Sequence, residues 1–269
     1  MRTRLLTTGL LLLSLTACSK DKDKQAEGTP PASTTPQATT QSAPANTGTQ
    51  APANPAPQAA QTNTEPKVHG SSPVPRSRPP AEKPGPWQQK ALNGQELYAT
   101  LETNHGNVVV RLFSKDAPVT VANFVGLATG EQAWTDPNTG EVKQNTPMYR
   151  DILFHRIIPG FMIQGGDPLG RGTGSPGYMF EDEFQSGRTF DKPGILAMAN
   201  RGRNTNGSQF FITVAPQPRL NGGYTIFGEV VKGYDVVERI SNVQTGPQDR
   251  PVKDVVMKKV TISDTQPKK

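Results

Sequence analysis

Hydrophobic positions divide the chain into three kinds of material. Behind Arg2 and Arg4, residues 5–15 form one short apolar run (LLTTGLLLLSL). From residue 19 to about 89 no apolar period of two or of 3.6 is sustained, so neither strand nor helix is predicted. After Ala91 the pattern changes again. β-prone runs occupy 97–103 and 108–112, separated by Asn104-His-Gly-Asn107, a hairpin signal. Pro118 then stands at a first helical turn, with Val121, Phe124, Val125 and Ala128 as its apolar face and Gly130 as its stop. Further β-prone runs lie at 152–158, 161–164, 194–199, 209–214 and 225–231. A second short helix is predicted at 234–240, with Asp235 near its start, and a closing strand at 255–262. Many short strands, glycine-rich turns and two helices predict a mainly β protein, a closed antiparallel barrel that leaves no exposed edge. No βα repeat supports a doubly wound sheet.

Composition sharpens that division. The first aromatic of the 269-residue chain is Trp87, whereas 14 of the 26 prolines lie between Pro30 and Pro86. Residues 18–93, rich in Pro, Ala, Thr and Gln, lack the apolar mass to offset ordering entropy and are expected to be a disordered arm, with one domain at 94–265. Arg76 and Arg78 form the arm's basic tract; a spacer is the simpler reading than a cell-wall-binding segment. The net charge of +6 belongs to the flanks, since residues 94–267 hold 17 basic and 18 acidic side chains. That balance argues against nucleic acid as a partner. The three histidines and single cysteine show no metal-ligand spacing, and no cofactor motif is present. The expectation is therefore no metal and no cofactor, in a monomeric domain.

The apolar run is too short to cross a bilayer: eleven residues make a helix of about 16 Å, against roughly 30 Å of hydrocarbon. With its basic start and small residues before Cys18, it predicts a secretory signal at 1–17. Leu15-Thr-Ala-Cys18 resembles the bacterial lipobox, in which the cysteine sulfur receives a diacylglycerol and the chain is cut before it. That resemblance implies Cys18 as the lipidation site, a membrane partner through the lipid, and a cell-envelope location facing outside the cytoplasm. Ser19 after the cysteine favours the outer membrane in a cell that has one.

Two segments carry the chemistry: FHRIIPGFMIQGGD at 154–167 and MANRGRNTNGSQFFI at 198–212. Together they closely resemble the signatures of cyclophilin-type peptidyl-prolyl cis-trans isomerases, and the order of elements agrees from about 97 to 262. The resemblance implies an eight-stranded barrel capped by two helices, with the substrate groove on its outer wall. It implies catalysis of X–Pro rotation in proline-containing unfolded or flexible polypeptides, assisting the folding of exported proteins. Amide resonance opposes that rotation with a barrier of ~18–20 kcal/mol. No covalent step is needed, only a donor to the proline nitrogen as it pyramidalises, an interaction absent from the planar ground state. By resemblance Arg156 is that donor, and Gln164 binds the substrate carbonyl and orients Arg156. Phe161, Met162, Phe211 and Leu220 form the proline slot. Asn200 meets the peptide backbone, Ala199 and Gln209 line the next subsite, and His155 lies beside the groove in a hydrogen-bonding role.

Two residues depart from the family pattern. Arg219 replaces a tryptophan, which argues against strong cyclosporin binding, and Tyr224 replaces a histidine that walls the slot. Residues 130–150 exceed the length found in compact relatives. Other classes are weaker. The segment GRGTGSPG at 170–177 lacks the Gly-Lys-Ser/Thr of a phosphate loop, and no nucleophile elbow surrounds Ser208 to join His155 and Asp167 as a hydrolase. Glu181-Asp-Glu183 reads as solvated surface or turn hydrogen bonding. A non-catalytic proline-peptide module or holdase on the same fold is the serious competitor.

Overall fold

The computed structural model describes residues 83–268 and the backbone of Arg76–Ser77. Cys18, the signal segment and the rest of the arm to residue 82 lie outside the described residues. The elements are β1 (Arg76–Ser77), α1 (Pro86–Leu92), β2 (Leu97–Thr103), β3 (Gly106–Leu112), α2 (Pro118–Thr129), β4 (Trp134–Thr135), β5 (Val142–Lys143), β6 (Arg150–Leu153), β7 (Arg156–Ile158), β8 (Met162–Gly165) and β9 (Tyr178–Met179). They continue with β10 (Ile195–Met198), β11 (Phe210–Thr213), β12 (Ile226–Lys232), α3 (Tyr234–Ser241) and β13 (Val256–Ser263), with 3-10 turns at Pro218–Leu220 and Pro247–Asp249.

One nine-stranded sheet runs β6-β13-β2-β3-β12-β10-β11-β8-β7. Each pairing in it is antiparallel. Its two outermost strands, β6 and β7, are successive in the chain, parted only by Phe154 and His155. The sheet therefore curls until both edges belong to one interrupted strand, and counting that strand once leaves the eight staves expected. β4 pairs with β5, so the long 130–150 segment is a small hairpin of its own. β1 pairs in parallel with β9.

Strand alternation sorts residues between two apolar clusters. Ile157, Ile163, Leu196, Met198, Phe210 and Ile212 point into the barrel and pack with Phe124, Tyr149, Phe154 and Phe227. Their chain neighbours Met162, Ile195, Ala197 and Phe211 form a separate cluster with Phe113, Phe190 and Ile226. A period of two on these strands thus yields both a filled core and an apolar wall outside it.

Two corrections concern the start of the domain. The arm was expected to run to residue 93 and the barrel to carry two helices, yet 86–92 is a third helix, packed on α2. Pro86 supplies the fixed φ of a first turn. Gln88 and Ala91 are fully buried, and the Gln88 amide donates to the Ala122 carbonyl at 3.3 Å and to Gln132 Oε1 at 3.2 Å. Gly126 of α2 permits this, because a Cβ there would lie 2.5 Å from Gln88 Nε2. No apolar periodicity announces so short an element; it is held by side chains distant in sequence.

Candidate active site

β7, β8 and β11 lie side by side, and their register places Arg156 opposite Gln164 and Gln164 opposite Phe211. The outward residues of these strands face a cleft of ≈840 Å³. Its apolar end is lined by Phe161, Met162, Phe211, Leu220 and Tyr224. Phe211 stacks on Phe190 with ring centroids 5.9 Å apart and meets Tyr224 edge-on at 5.5 Å, so its orientation is fixed from both sides. Leu220 is carried by a 3-10 turn. The preceding Gln217 anchors it, its backbone N–H donating to the Phe190 carbonyl at 2.7 Å and its amide to the Gly160 carbonyl at 3.0 Å. Arg219 does not point away from this slot: its guanidinium lies over the Phe161 ring, 5.1 Å from the centroid.

The polar end is built from long-range hydrogen bonds. Gln209 donates to the carbonyls of Gly172 (3.1 Å) and Gly174 (2.9 Å) and accepts from Gln164 Nε2 at 3.0 Å. Those glycines belong to the 170–177 loop, which wraps around a buried carboxylate instead of a phosphate. Asp167, 1% exposed, accepts the backbone N–H groups of Leu169 (2.7 Å), Arg171 (3.1 Å) and Gly172. A Cβ at Gly174 would sit 1.9 Å from its Oδ1. Arg156 Nε donates to Asp249 Oδ2 at 3.2 Å, from a 3-10 turn about 90 residues away in sequence. Both side chains are about two-fifths exposed, so the pair is worth ~0.2–1 kcal/mol to stability.

The cleft brings together each predicted site residue of the domain: His155, Arg156, Phe161, Met162, Gln164, Ala199, Asn200, Gln209, Phe211, Leu220 and Tyr224. The expected contact between Gln164 and Arg156 is not made. Gln164 is engaged by Gln209, and the group that holds Arg156 is Asp249, which local sequence gave no reason to single out. His155, expected to hydrogen-bond, is buried with neither ring nitrogen in a hydrogen bond of normal geometry. Burial lowers its pKa, as do the Arg156 and Arg250 charges, against the opposing pull of Asp167 and the Leu153 carbonyl. Asn200 Nδ2 donates to the Gly223 carbonyl at 2.8 Å, which fixes the amide at the cleft wall.

The weaker alternatives lose their geometry. Ser208 Oγ donates to the Gly166 carbonyl at 2.8 Å, not to a histidine. Glu183 caps α2 and Asp182 bonds Asn204 and Asn206, consistent with turn hydrogen bonding. Among the described residues no group of three His, Cys, Asp or Glu side chains could hold a metal ion.

An apolar slot beside a guanidinium, on the outer wall of an antiparallel barrel, defines a groove for a short extended peptide. The chain belongs to the cyclophilin-type peptidyl-prolyl cis-trans isomerases: the family model described as "Cyclophilin type peptidyl-prolyl cis-trans isomerase/CLD" matches residues 98–262. It is similar to "Peptidyl-prolyl cis-trans isomerase B" of Streptomyces anulatus, 54% identical over 171 residues that make up 62% of this chain and 97% of the relative. It is also 53% identical over 167 residues to "Peptidyl-prolyl cis-trans isomerase A" of Mycobacterium tuberculosis (strain ATCC 25618 / H37Rv), covering 61% of this chain and 91% of that one. Among solved structures, a Cryptosporidium parvum cyclophilin type isomerase matches with a TM-score of 0.55 at 34% identity, covering 64% of this chain and 99% of the other. The same protein in the presence of the dipeptide Ala-Pro matches with a TM-score of 0.53, at 34% identity over 62% of this chain and 98% of that one. The domain is an isomerase of X–Pro peptide bonds.

Proposed function

We propose that Arg156 is the donor that lowers the rotational barrier, acting on a proline ring seated among Phe161, Met162, Phe211, Leu220 and Tyr224. In the twisted amide the proline nitrogen regains its lone pair, and a guanidinium N–H gains an acceptor that the planar amide does not offer. Gln164 and Asn200 hold the flanking peptide oxygens and N–H groups, while the body of the chain rotates in solvent. No proton is transferred, so the buried, neutral His155 is a wall and not a base. The observation that carries this reading is the register that sets Arg156 opposite Gln164 and Gln164 opposite Phe211, so that strand alternation turns the guanidinium-bearing residue and the apolar slot to the same cleft.

The substrates are proline-containing unfolded or flexible chains outside the cytoplasm, whose folding the enzyme assists. Cys18 carries the lipid, and the arm from 18 to about 85 spaces the domain from the membrane. What supports this part is the sequence of residues 1–18 and the arm's composition. A protease-free cis/trans assay on an Ala-Pro peptide tests the catalytic assignment. Arg156→Ala should lower kcat/KM roughly 10²-fold, the scale of losing one transition-state donor. Wild-type turnover by that variant would sink the assignment and favour a site in which the slot alone suffices.

A further inference from the structure

An arginine head on a long, half-exposed stem has many rotamers, and a donor useful only in the transition state must already be aimed. β7 is three residues long and offers no intra-strand support. Gln164, its neighbour across the sheet, donates one amide N–H to Gln209 and makes no hydrogen bond to Arg156. The remaining polar contact to the Arg156 side chain among the described residues is Asp249 Oδ2, and it falls on Nε. Using Nε for the anchor leaves the four N–H groups of the two Nη atoms for the groove.

The loop that supplies this carboxylate is held in a defined conformation. Gln248 and Asp249 have φ of 62° and 59°, two successive non-glycine residues in the left-handed region, a conformation retained only where its surroundings enforce it. Enforcement comes from Gly246 N–H to the Arg250 carbonyl (2.8 Å), Val252 N–H to the Gln244 carbonyl (2.9 Å) and the bridge between Thr245 and Pro251. Arg250, next in sequence and also at the cleft, is drawn to Asp254 at 3.8 Å and so leaves Asp249 to Arg156. Asp249 is the single carboxylate among the described residues that line the cleft.

We infer that Asp249 is a positioning residue for catalysis: its carboxylate grips Arg156 Nε, fixes the plane of the guanidinium and presents the Nη donors to the isomerising amide. This rests on the assignment of Arg156 given above. In the full chain, Asp249→Ala should reduce kcat about 10-fold with KM changed less than about twofold, because an unaimed donor costs the transition state and not ground-state binding. Asp249→Asn, which keeps an acceptor but no charge, should fall between wild type and Ala, and it supplies the same reading should the Ala variant fold poorly. The ¹⁵N–¹H resonance of Arg156 Nε should shift in both variants, a signature that a distant packing role would not move. In an Arg156→Ala background, Asp249→Ala should add no further loss. Wild-type kcat in both Asp249 variants beside a slow Arg156→Ala would overturn this inference and leave Arg156 in place. Wild-type turnover by Arg156→Ala would instead remove the catalytic assignment itself. An additive loss in the double variant would also overturn the positioning role.

Discussion

His155 is a residue whose environment changes its chemistry. The residue is 6% exposed, with neither ring nitrogen in a hydrogen bond of normal geometry, and burial with Arg156 and Arg250 outweighs the pull of Asp167 and the Leu153 carbonyl. The folded chain therefore resists a proton that an unfolded histidine accepts near pH 6.5. Below that pH the unfolded state binds more protons than the native state, so stability falls as pH drops, until the lowered native pKa is passed. Thermal denaturation of the wild type should show Tm declining as pH falls below about 6.5, and His155→Leu should flatten that part of the curve. An unchanged slope in the variant would assign the decline to other groups. The same neutral histidine is what a reaction without proton transfer leaves room for. At this scale the sequence motif named residues that share one cleft but not their partners: Gln164 turns to Gln209 and Arg156 to Asp249 because the hydrogen bonds available to an amide or guanidinium depend on which loops arrive beside it.

Helix starts show the corresponding pattern among elements. α1 and α2 both begin with proline and have no side-chain cap at the preceding residue. Each borrows a glutamate from elsewhere. Glu131 accepts the N–H groups of Trp87 (3.1 Å) and Gln88 (2.9 Å), and Glu183 accepts those of Val119 (3.1 Å) and Thr120 (2.8 Å) with the Thr120 hydroxyl at 2.7 Å. A carboxylate there satisfies orphan donors and opposes the helix dipole. Glu183→Ala should cost about 1–2 kcal/mol, visible as a lower urea midpoint with unchanged m-value, whereas an unaltered midpoint would make the contact incidental. α2 was legible in sequence because Val121, Phe124, Val125 and Ala128 mark one face. α1 was not, since its hold on the domain is the insertion of Gln88 above Gly126 and the Glu131 cap, contacts separated by about 40 residues. β6 and β7 were read as one strand at 152–158; the break at Phe154 and His155 turns Phe154 into the core and aims Arg156 outward.

For the whole molecule, the proposed anchor and spacer predict a separation of labour. On that proposal activity belongs to the described domain, and location to Cys18. Cys18→Ser in the full chain should release the protein from the membrane fraction with kcat/KM on a soluble Ala-Pro peptide unchanged; continued membrane attachment would defeat the lipid anchor. Several acyl chains supply the multi-point hold that one lacks, at ~0.8 kcal/mol per buried CH₂. Residues 94–267 are near neutral in sum, yet the cleft itself is positive, with Arg156, Arg171, Arg201 and Arg250 set against Asp249.

Sequence by itself determined the barrel and which strand residues face the cleft, because a period of two, applied to Arg156, Met162, Gln164 and Phe211, decides which side of a strand each occupies whatever the strand packs against. Tertiary structure alone decided where the domain starts, which glutamates cap its helices and which carboxylate grips Arg156. Those contacts join residues 40 to 90 positions apart, and hydrogen-bond partners at such separations are chosen by the path of the folded backbone, not by any local pattern in the chain.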